Sequence, residues 1–132
     1  LSNFSAFTVD WKGNLFQTSE AVYHWEKFPG YPIIQGHILY AKSAHSALQI
    51  AKAFIDFRRA DWDTIKITIM EEILKAKVQQ HEYIRRKLLE TAEKELIENS
   101  WRDDFWGWGP NRDGQNMLGK LWMKIRSELQ SL

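Results

Sequence analysis

Along most of this chain, apolar residues return every three or four positions, the spacing of amphipathic helices. Near the start they are instead scattered among polar residues around Lys12-Gly13-Asn14, a turn signal that predicts a short hairpin. We therefore expect an α+β fold that is predominantly helical, with a small β-sheet near the N-terminus. The predicted elements are a hairpin over 1–17, helices over 19–28, 37–56, 61–80, 82–94 and 116–131, a short strand at Leu96-Ile97 and a loop over 99–115.

Three charged residues stand out on the apolar stripes of these helices. Arg126 sits at the edge of the stripe of the last helix, where its stem can cover apolar surface while its head stays in water. Lys66 and Lys77 project from inside the stripe of the helix over 61–80. Because lysine is rarely buried without a partner, these two either reach water or meet carboxylates or an anionic ligand in a cleft.

Composition limits the classes of function. The chain of 132 residues has 18 basic and 17 acidic residues, and no segment has the basic excess that non-specific phosphate binding produces, so contact with nucleic acid would be local, through a pocket. There is no cysteine, which excludes disulfides, thiolate metal sites and a cysteine nucleophile. The 18 aromatic residues include seven Trp, and aromatic planes hold nucleobases and sugars as well as forming cores.

The predicted helix over 19–28 carries a first cluster of reactive groups. Glu20, Tyr23, His24 and Lys27 fall at i, i+3, i+4 and i+7 and so share one helix face. An acid, a phenol, an imidazole and an amine together can perform general acid and base catalysis. The same pattern is also typical of a solvated helix face, and both interpretations stay open on the residues alone.

A second cluster is the loop over 100–116, which contains three Trp, three Asp and three Gly. Long aromatic loops in small domains are often functional. The loop leads to a helix N-terminus near Asn116, which suits phosphate. Alternatively it is an aromatic plug closed by Asx turns and an N-cap. No calcium-loop, zinc or nucleotide-binding motif is present, so neither a metal nor a cofactor is expected.

Blocks scattered over nearly the whole chain resemble the NADAR family, also called YbiA-like. The matching blocks are Leu1-Ser2-Asn3-Phe4, Thr18-Ser19-Glu20, Tyr23, Lys27-Phe28, Asp61-Trp62, Lys66, Met70, Ala76-Lys77, Gln80, Leu88-Leu89, Thr91, Leu96-Ile97-Glu98, Asp103, Phe105-Trp106-Gly107, Asn116, Leu118-Gly119, Met123 and Arg126. The resemblance implies a single compact domain over 1–132. Two departures are a family segment missing before the Ser-Asn-Phe block and Ala92, where many members have Gly.

The resemblance implies an N-glycosidase that hydrolyses the bond between a nitrogenous group and C1 of ribose. Removal of ADP-ribose from a modified base such as guanine in nucleic acid is the leading expectation. Hydrolysis of aminouracil ribosylamine phosphates of riboflavin synthesis is the near alternative. A module that binds ADP-ribose without cleaving it, and a helical interaction domain, are the other classes. The expected partners are ADP-ribose or a ribosyl nucleotide, ADP-ribosylated nucleic acid and an ADP-ribosylating toxin system, without a membrane, in the cytoplasm.

The site residues follow from the same resemblance. Glu20 is expected as acid/base or as stabiliser of an oxocarbenium ion, Lys27 as nucleophile at C1, and Asp103 as ligand of ribose hydroxyls. Trp62 and Trp106 are expected to stack on base or ribose, and Asn116 and Arg126 to position phosphate. The expected catalytic residues are Glu20, Lys27 and Asp103, and the expected substrate-binding residues are Asn3, Phe4, Tyr23, Trp62, Lys66, Trp106, Asn116 and Arg126.

Overall fold

The computed structural model describes residues 4–100 and 103–132. These residues divide into two compact units. The first unit is formed by residues 6–80, and the second by residues 4–5 together with the described residues from 81 onward. Within the described residues, no helix has both the length and the apolar character needed to cross a bilayer.

The first unit begins with the expected hairpin. Strands β1 (Val9–Trp11) and β2 (Asn14–Phe16) pair antiparallel, with Val9 opposite Phe16. Lys12 and Gly13 between them both have positive φ, of 47° and 85°, as a two-residue turn matching the twist of its strands requires. Gln80 closes the outer edge of β1, since its side-chain amide accepts from the N–H of Asp10 and donates to its carbonyl.

Four helices complete the first unit: α1 (Ser19–Trp25), α2 (Pro32–Leu39), α3 (Ala44–Ala53) and α4 (Trp62–Gln80). α1 packs on the other three, and β1 packs on α4. Side-chain caps fix two of the starts, because Thr18 Oγ1 accepts from the N–H of Ala21 and Ser43 Oγ from the N–H of Ser46. α1 is therefore the central helix of this unit.

The prediction of one helix over 37–56 is wrong. Pro32 stands at the first position of α2, where its fixed φ suits a helix start, so a separate helix begins at Pro32 and ends at Leu39. Ser43 caps a new helix, and a 3-10 turn over Ile55–Phe57 follows. The helix predicted over 61–80 is confirmed within one residue, and that over 19–28 ends early at Trp25.

The second unit contains α5 (Glu82–Glu90) and α6 (Met117–Gln130), which pack on each other. The predicted helices over 82–94 and 116–131 are confirmed with a shorter end at Glu90. The loop that joins them binds the first turn of α6, because the N–H groups of Met117 and Leu118 donate to the carbonyls of Phe105 and Trp106. The long aromatic loop is thus attached to the helix that follows it.

The predicted strand at Leu96-Ile97 is not formed. This segment bonds to a side chain instead of a strand: Asn116 Nδ2 donates to the carbonyl of Leu96, and Asn116 Oδ1 accepts from the N–H of Glu98. Gly119 allows the close approach, since a Cβ there would meet the Leu96 carbonyl oxygen. One asparagine side chain therefore takes the place of a partner strand.

Ala92, one of the two departures from the family pattern, occupies a left-handed position just after α5, with φ of 54°. Glycine adopts this conformation without steric cost, whereas an L side chain does not. We expect Ala92→Gly to raise the free energy of unfolding by about 1 kcal/mol in urea titrations. Ala53→Gly, at an exposed helical position of α3, is the control and should lower it by roughly 0.5–1 kcal/mol. Equal effects at both positions would contradict the steric argument.

Candidate functional site

Lys27 lies in the turn that follows α1, and its side chain returns over that helix. Its Nζ is 2.9 Å from Nδ1 of His24. It also stands over two aromatic rings, 5.1 Å from the ring centre of Tyr23 and 5.7 Å from that of Trp62. The Tyr23 and Trp62 rings meet edge to face with centres 4.9 Å apart. The amine thus sits between an imidazole and an aromatic wall.

These surroundings change the acid–base behaviour of both partners. Burial, reinforced by the positive charges of Arg58 and Lys66, lowers the pKa of Lys27 to about 8, while Asp63 acts in the opposite direction. Burial and the charge of Lys27 lower the pKa of His24 to about 3. His24 is therefore neutral at pH 7, and its Nδ1 is able to accept a hydrogen bond from Lys27.

The interpretation of this segment as a solvated helix face is wrong. Tyr23 and His24 are only 9% and 7% exposed, so the phenol and the imidazole point inward. Because α1 ends at Trp25, Lys27 is not at position i+7 of the helix. It lies in the turn after α1, and its side chain reaches Tyr23 and His24 from there. The structure brings together Tyr23, His24 and Lys27 from α1 and its end.

The carboxylate of Glu20 influences the pKa of another lysine, Lys77. It favours the charged form of Lys77, whose pKa burial nevertheless lowers to about 8. Lys77 is 1% exposed, and its Nζ donates to Ser19 Oγ at 2.8 Å. Lys77 therefore neither reaches water nor lies at the edge of its stripe. Glu20 is not among the charged groups that shift the pKa of Lys27, which are Arg58, Lys66 and Asp63.

Two residues of α4 border Lys27. Trp62 is 1% exposed, so the expected stacking of substrate on its ring is wrong for this conformation. Its ring instead forms the wall beside the amine. Lys66, one turn further along α4, is half-buried and its Nζ lies 3.6 Å from Asp63 Oδ1. Of the expected site residues, Glu20, Tyr23, Lys27, Trp62 and Lys66 belong to this first unit.

The other expected site residues that the structure describes belong to the second unit, where two of them hold the loop in place. Asp103 Oδ1 accepts from the N–H groups of Phe105 and Trp106, an Asx turn. Asn116 is buried with both amide atoms bound to backbone. Since the first N–H groups of α6 are also bound, this helix start has its donors engaged, and the expectation of a ready phosphate site there is wrong.

The other residues of that unit have structural partners too. Arg126 is buried, and its Nη1 donates to Thr91 Oγ1 at 2.8 Å and to the carbonyl of Lys94 at 2.7 Å. It therefore fixes the chain after α5 and does not extend to water. Phe4 is buried against Trp122. Trp106 is half-buried beside Phe105, and its stacking on substrate stays a prediction. Asn3 lies outside the described residues.

Sequence reasoning missed Arg58 and the role of His24. Arg58 precedes the Asp61-Trp62 block, but only the folded chain places its charge near Lys27. His24 was included in the reactive face, yet its contact with Lys27 depends on the turn after α1. Among the described residues, no group of three or more His, Asp or Glu side chains is arranged to hold a metal ion.

The comparisons with known proteins agree with this fold. A family model described as the NADAR domain matches residues 1–130. The solution structure of the E. coli protein YbiA superposes with a TM-score of 0.86 at 32% identity, over 98% of this chain and 76% of that one. The chain belongs to the NADAR family, and the expected α+β, mainly helical fold is confirmed.

Curated relatives carry two kinds of name. An N-glycosidase of Nostoc punctiforme is 35% identical over 99% of this chain and 85% of its own length. The N-glycosidase YbiA of E. coli is 32% identical over 97% of this chain and 79% of its own. A riboflavin biosynthesis protein of Vibrio vulnificus is 33% identical, but the chain spans only 35% of it. The expected enzyme class, a hydrolase of N-glycosyl bonds, is thereby confirmed.

The lowered pKa of Lys27 can be measured directly. After isotopic dimethylation of the lysines, we expect the Lys27 signal to titrate with a midpoint near pH 8 in NMR spectra, because burial disfavours the ammonium. An ordinary lysine titrates near pH 10.4, roughly two units higher. Lys27→Arg should remove this signal, whereas Lys77→Arg, which removes the other buried lysine, should leave it. A midpoint above pH 10 would contradict the burial of the amine.

The structural role of Asn116 predicts a loss of stability. Asn116→Ala should lower the free energy of unfolding by about 2–4 kcal/mol, because two backbone groups lose their partner. Asn111, exposed in the same loop, is the matched control, and its alanine variant should change stability by no more than about 0.5 kcal/mol. Unchanged stability with weaker binding of a phosphorylated ligand would instead support the phosphate role.

Proposed function

We propose that this chain is an N-glycosidase that removes ADP-ribose from a modified base such as guanine in nucleic acid, with Lys27 as its nucleophile. One observation carries the proposal: Lys27 Nζ is held against His24 Nδ1 and two aromatic rings, where burial brings its pKa to about 8. At pH 7 roughly one tenth of such an amine is neutral, far more than of an exposed lysine. A neutral amine beside an aromatic wall is suited to attack a sugar carbon.

The covalent step involves C1 of the ribose. The lone pair of the neutral Lys27 amine forms a bond to C1, and the bond from C1 to the base nitrogen breaks. The base nitrogen keeps that electron pair and takes a proton from an acid. The new secondary ammonium then transfers a proton to the ring oxygen O4′ while the bond from C1 to O4′ breaks, which opens the ribose and gives a protonated Schiff base. Water adds to it and releases the sugar and Lys27, so the net change is hydrolysis.

His24 has an orienting role in this proposal. Because its pKa is about 3, it stores no proton near neutral pH and accepts a hydrogen bond from the Lys27 Nζ. This contact orients the amine of Lys27. Once the ammonium has lost a proton, the lone pair of Nζ is available for attack. Tyr23 and Trp62 exclude water from the other side. Burial favours the neutral, nucleophilic form of Lys27, and the contacts with His24 and the two rings fix its position.

Glu20 is the acid/base or the stabiliser of an oxocarbenium ion in this proposal. It lies in the first turn of α1 and is only half-buried, so a ligand can reach its carboxylate. Its negative charge suits the positive charge that develops at C1 as the base departs. The neighbouring Lys77 holds Ser19 at the start of the same helix and so supports the position of Glu20.

A second candidate substrate is an aminouracil ribosylamine phosphate. The observation that favours it is the similarity to a riboflavin biosynthesis protein, at 33% identity over 98% of this chain. The chemistry at C1 is the same in both cases, since each substrate joins ribose to nitrogen. The two candidates differ in the leaving group and in what is attached to the 5′-phosphate.

The activity test is a direct comparison of substrates. Purified protein should release ADP-ribose from an ADP-ribosylated guanine oligonucleotide and leave the unmodified oligonucleotide, and mass spectrometry should detect both products. Faster turnover of the aminouracil ribosylamine phosphate would select the second candidate. Binding of ADP-ribose without release of a base from either substrate would instead establish a non-catalytic binding module.

The covalent step predicts an adduct. Borohydride added during turnover should reduce the Schiff base and attach the sugar to Lys27, which intact mass and peptide mapping detect. Lys77 is the matched control, because it has the same lowered pKa but is 1% exposed and bonded to Ser19. We expect no adduct on Lys77 and none in Lys27→Ala. An active Lys27→Ala enzyme without adduct would mean direct attack by water, with Glu20 as base.

A further inference from the structure

Beside Lys27 the first unit gathers two further cations, Arg58 and Lys66. Asp63 is a carboxylate that both of them approach: Arg58 Nη2 is 3.6 Å from Asp63 Oδ2, and Lys66 Nζ is 3.6 Å from Asp63 Oδ1. Asp63 itself is 74% exposed, so water weakens its attraction for either partner. Positive charge is therefore in excess at this place whenever Lys27 is protonated.

The neighbouring Arg59 is a useful contrast, because its guanidinium is paired with a carboxylate. Its Nε and Nη2 donate to the two oxygens of Asp61 at 2.6 and 3.0 Å, a bidentate pair. Arg58 has the same exposed fraction, 30%, but contacts its carboxylate at a distance too long for a hydrogen bond. Thus Arg58 keeps donors for a ligand, whereas Arg59 uses its own on Asp61.

The fold places both Arg58 and Lys66 next to Lys27. The N–H of Arg59 donates to the carbonyl of Lys27 at 2.9 Å, which ties the segment of Arg58 to the turn after α1. Lys66 is four residues after Trp62 on α4, hence on the same helix face as the ring that borders Lys27. The charges of Arg58 and Lys66 also contribute to the low pKa of Lys27.

We infer that Arg58 and Lys66 form the binding site for the phosphoryl group on the 5′ carbon of the ribose that Lys27 attacks. This inference rests on the proposed function and adds the phosphate recognition to it. Both candidate substrates carry that group: it begins the diphosphate of ADP-ribose and is the monophosphate of the ribosylamine. A guanidinium offers a planar fork of donors to phosphate oxygens, and an ammonium adds a compact charge.

The inference replaces the phosphate site first expected in the second unit. There, both amide atoms of Asn116 bind backbone, and Arg126 donates to Thr91 and to the carbonyl of Lys94. In the first unit, Arg58 and Lys66 are half-buried cations, and their ion pairs with the exposed Asp63 carboxylate are 3.6 Å long. Exchange of that weak, screened pairing for a phosphate would gain charge-assisted hydrogen bonds.

The test measures binding by calorimetry with ADP-ribose, ribose 5-phosphate and ribose as probes. We expect Arg58→Gln and Lys66→Gln each to weaken binding of the phosphorylated probe by about 10-fold to 100-fold, the worth of a charge-assisted hydrogen bond. Arg59→Gln is the matched control and should change affinity by less than about twofold. Arg58→Lys should retain part of the affinity, and the melting temperature of each variant verifies that it is folded.

Each outcome has a defined meaning. Equal loss in Arg59→Gln, or unchanged affinity in folded Arg58→Gln and Lys66→Gln, would overturn the phosphate site even if the enzyme hydrolyses its substrate. Wild-type protein that binds neither phosphorylated probe would overturn it as well. Phosphate-dependent binding without any hydrolysis would keep the site and refute the proposed function. Loss with ADP-ribose but not with ribose 5-phosphate would place the cations at the second phosphate and overturn the assignment to the 5′ group.

Discussion

The burial of one amine determines the character of this site. Water stabilises an ammonium ion, so a lysine in a partly dry position tends to lose its proton. Lys27 is held there by the Tyr23 and Trp62 rings and by the Nδ1 atom of His24. These contacts exist because α1 ends at Trp25 and the following turn folds the Lys27 side chain back over the helix. If α1 did not end at Trp25, Lys27 would be a residue of the helix itself.

The first unit buries a second lysine, and the two serve different purposes. Lys77 is enclosed and donates to Ser19, so it connects α4 to the start of α1. Lys27 has a neutral acceptor beside it and stays half-buried, so a ligand can reach it. Similar pKa values, about 8 for both, therefore do not indicate similar roles. Accessibility separates Lys77, which has a structural role, from Lys27, the proposed nucleophile.

Periodicity predicted α5 and α6 well because their apolar residues fall on one face, and α4 is a long stretch without glycine or proline. Periodicity missed the break between α2 and α3, where the cap at Ser43 and a proline at a helix start outweigh the apolar pattern. Family resemblance identified Lys27 and Lys66, but residue types alone could not show that Trp62 is covered or that Asn116 is bound to backbone. Such facts depend on contacts between segments distant in sequence. Arg58 entered the site for the same reason.

Phosphate binding and catalysis make opposite demands on the first unit, since a phosphate near Lys27 stabilises its ammonium while the proposed catalysis needs the neutral amine. The order of causes resolves the conflict: burial is the largest influence on the Lys27 pKa, and the charges of Arg58 and Lys66 come after it. A bound phosphate would neutralise Arg58 and Lys66 and so cancel their smaller contribution to the low pKa of Lys27. It would also displace water and so strengthen the larger contribution, which is burial. The aromatic wall can therefore keep the amine reactive while the cations hold the anion.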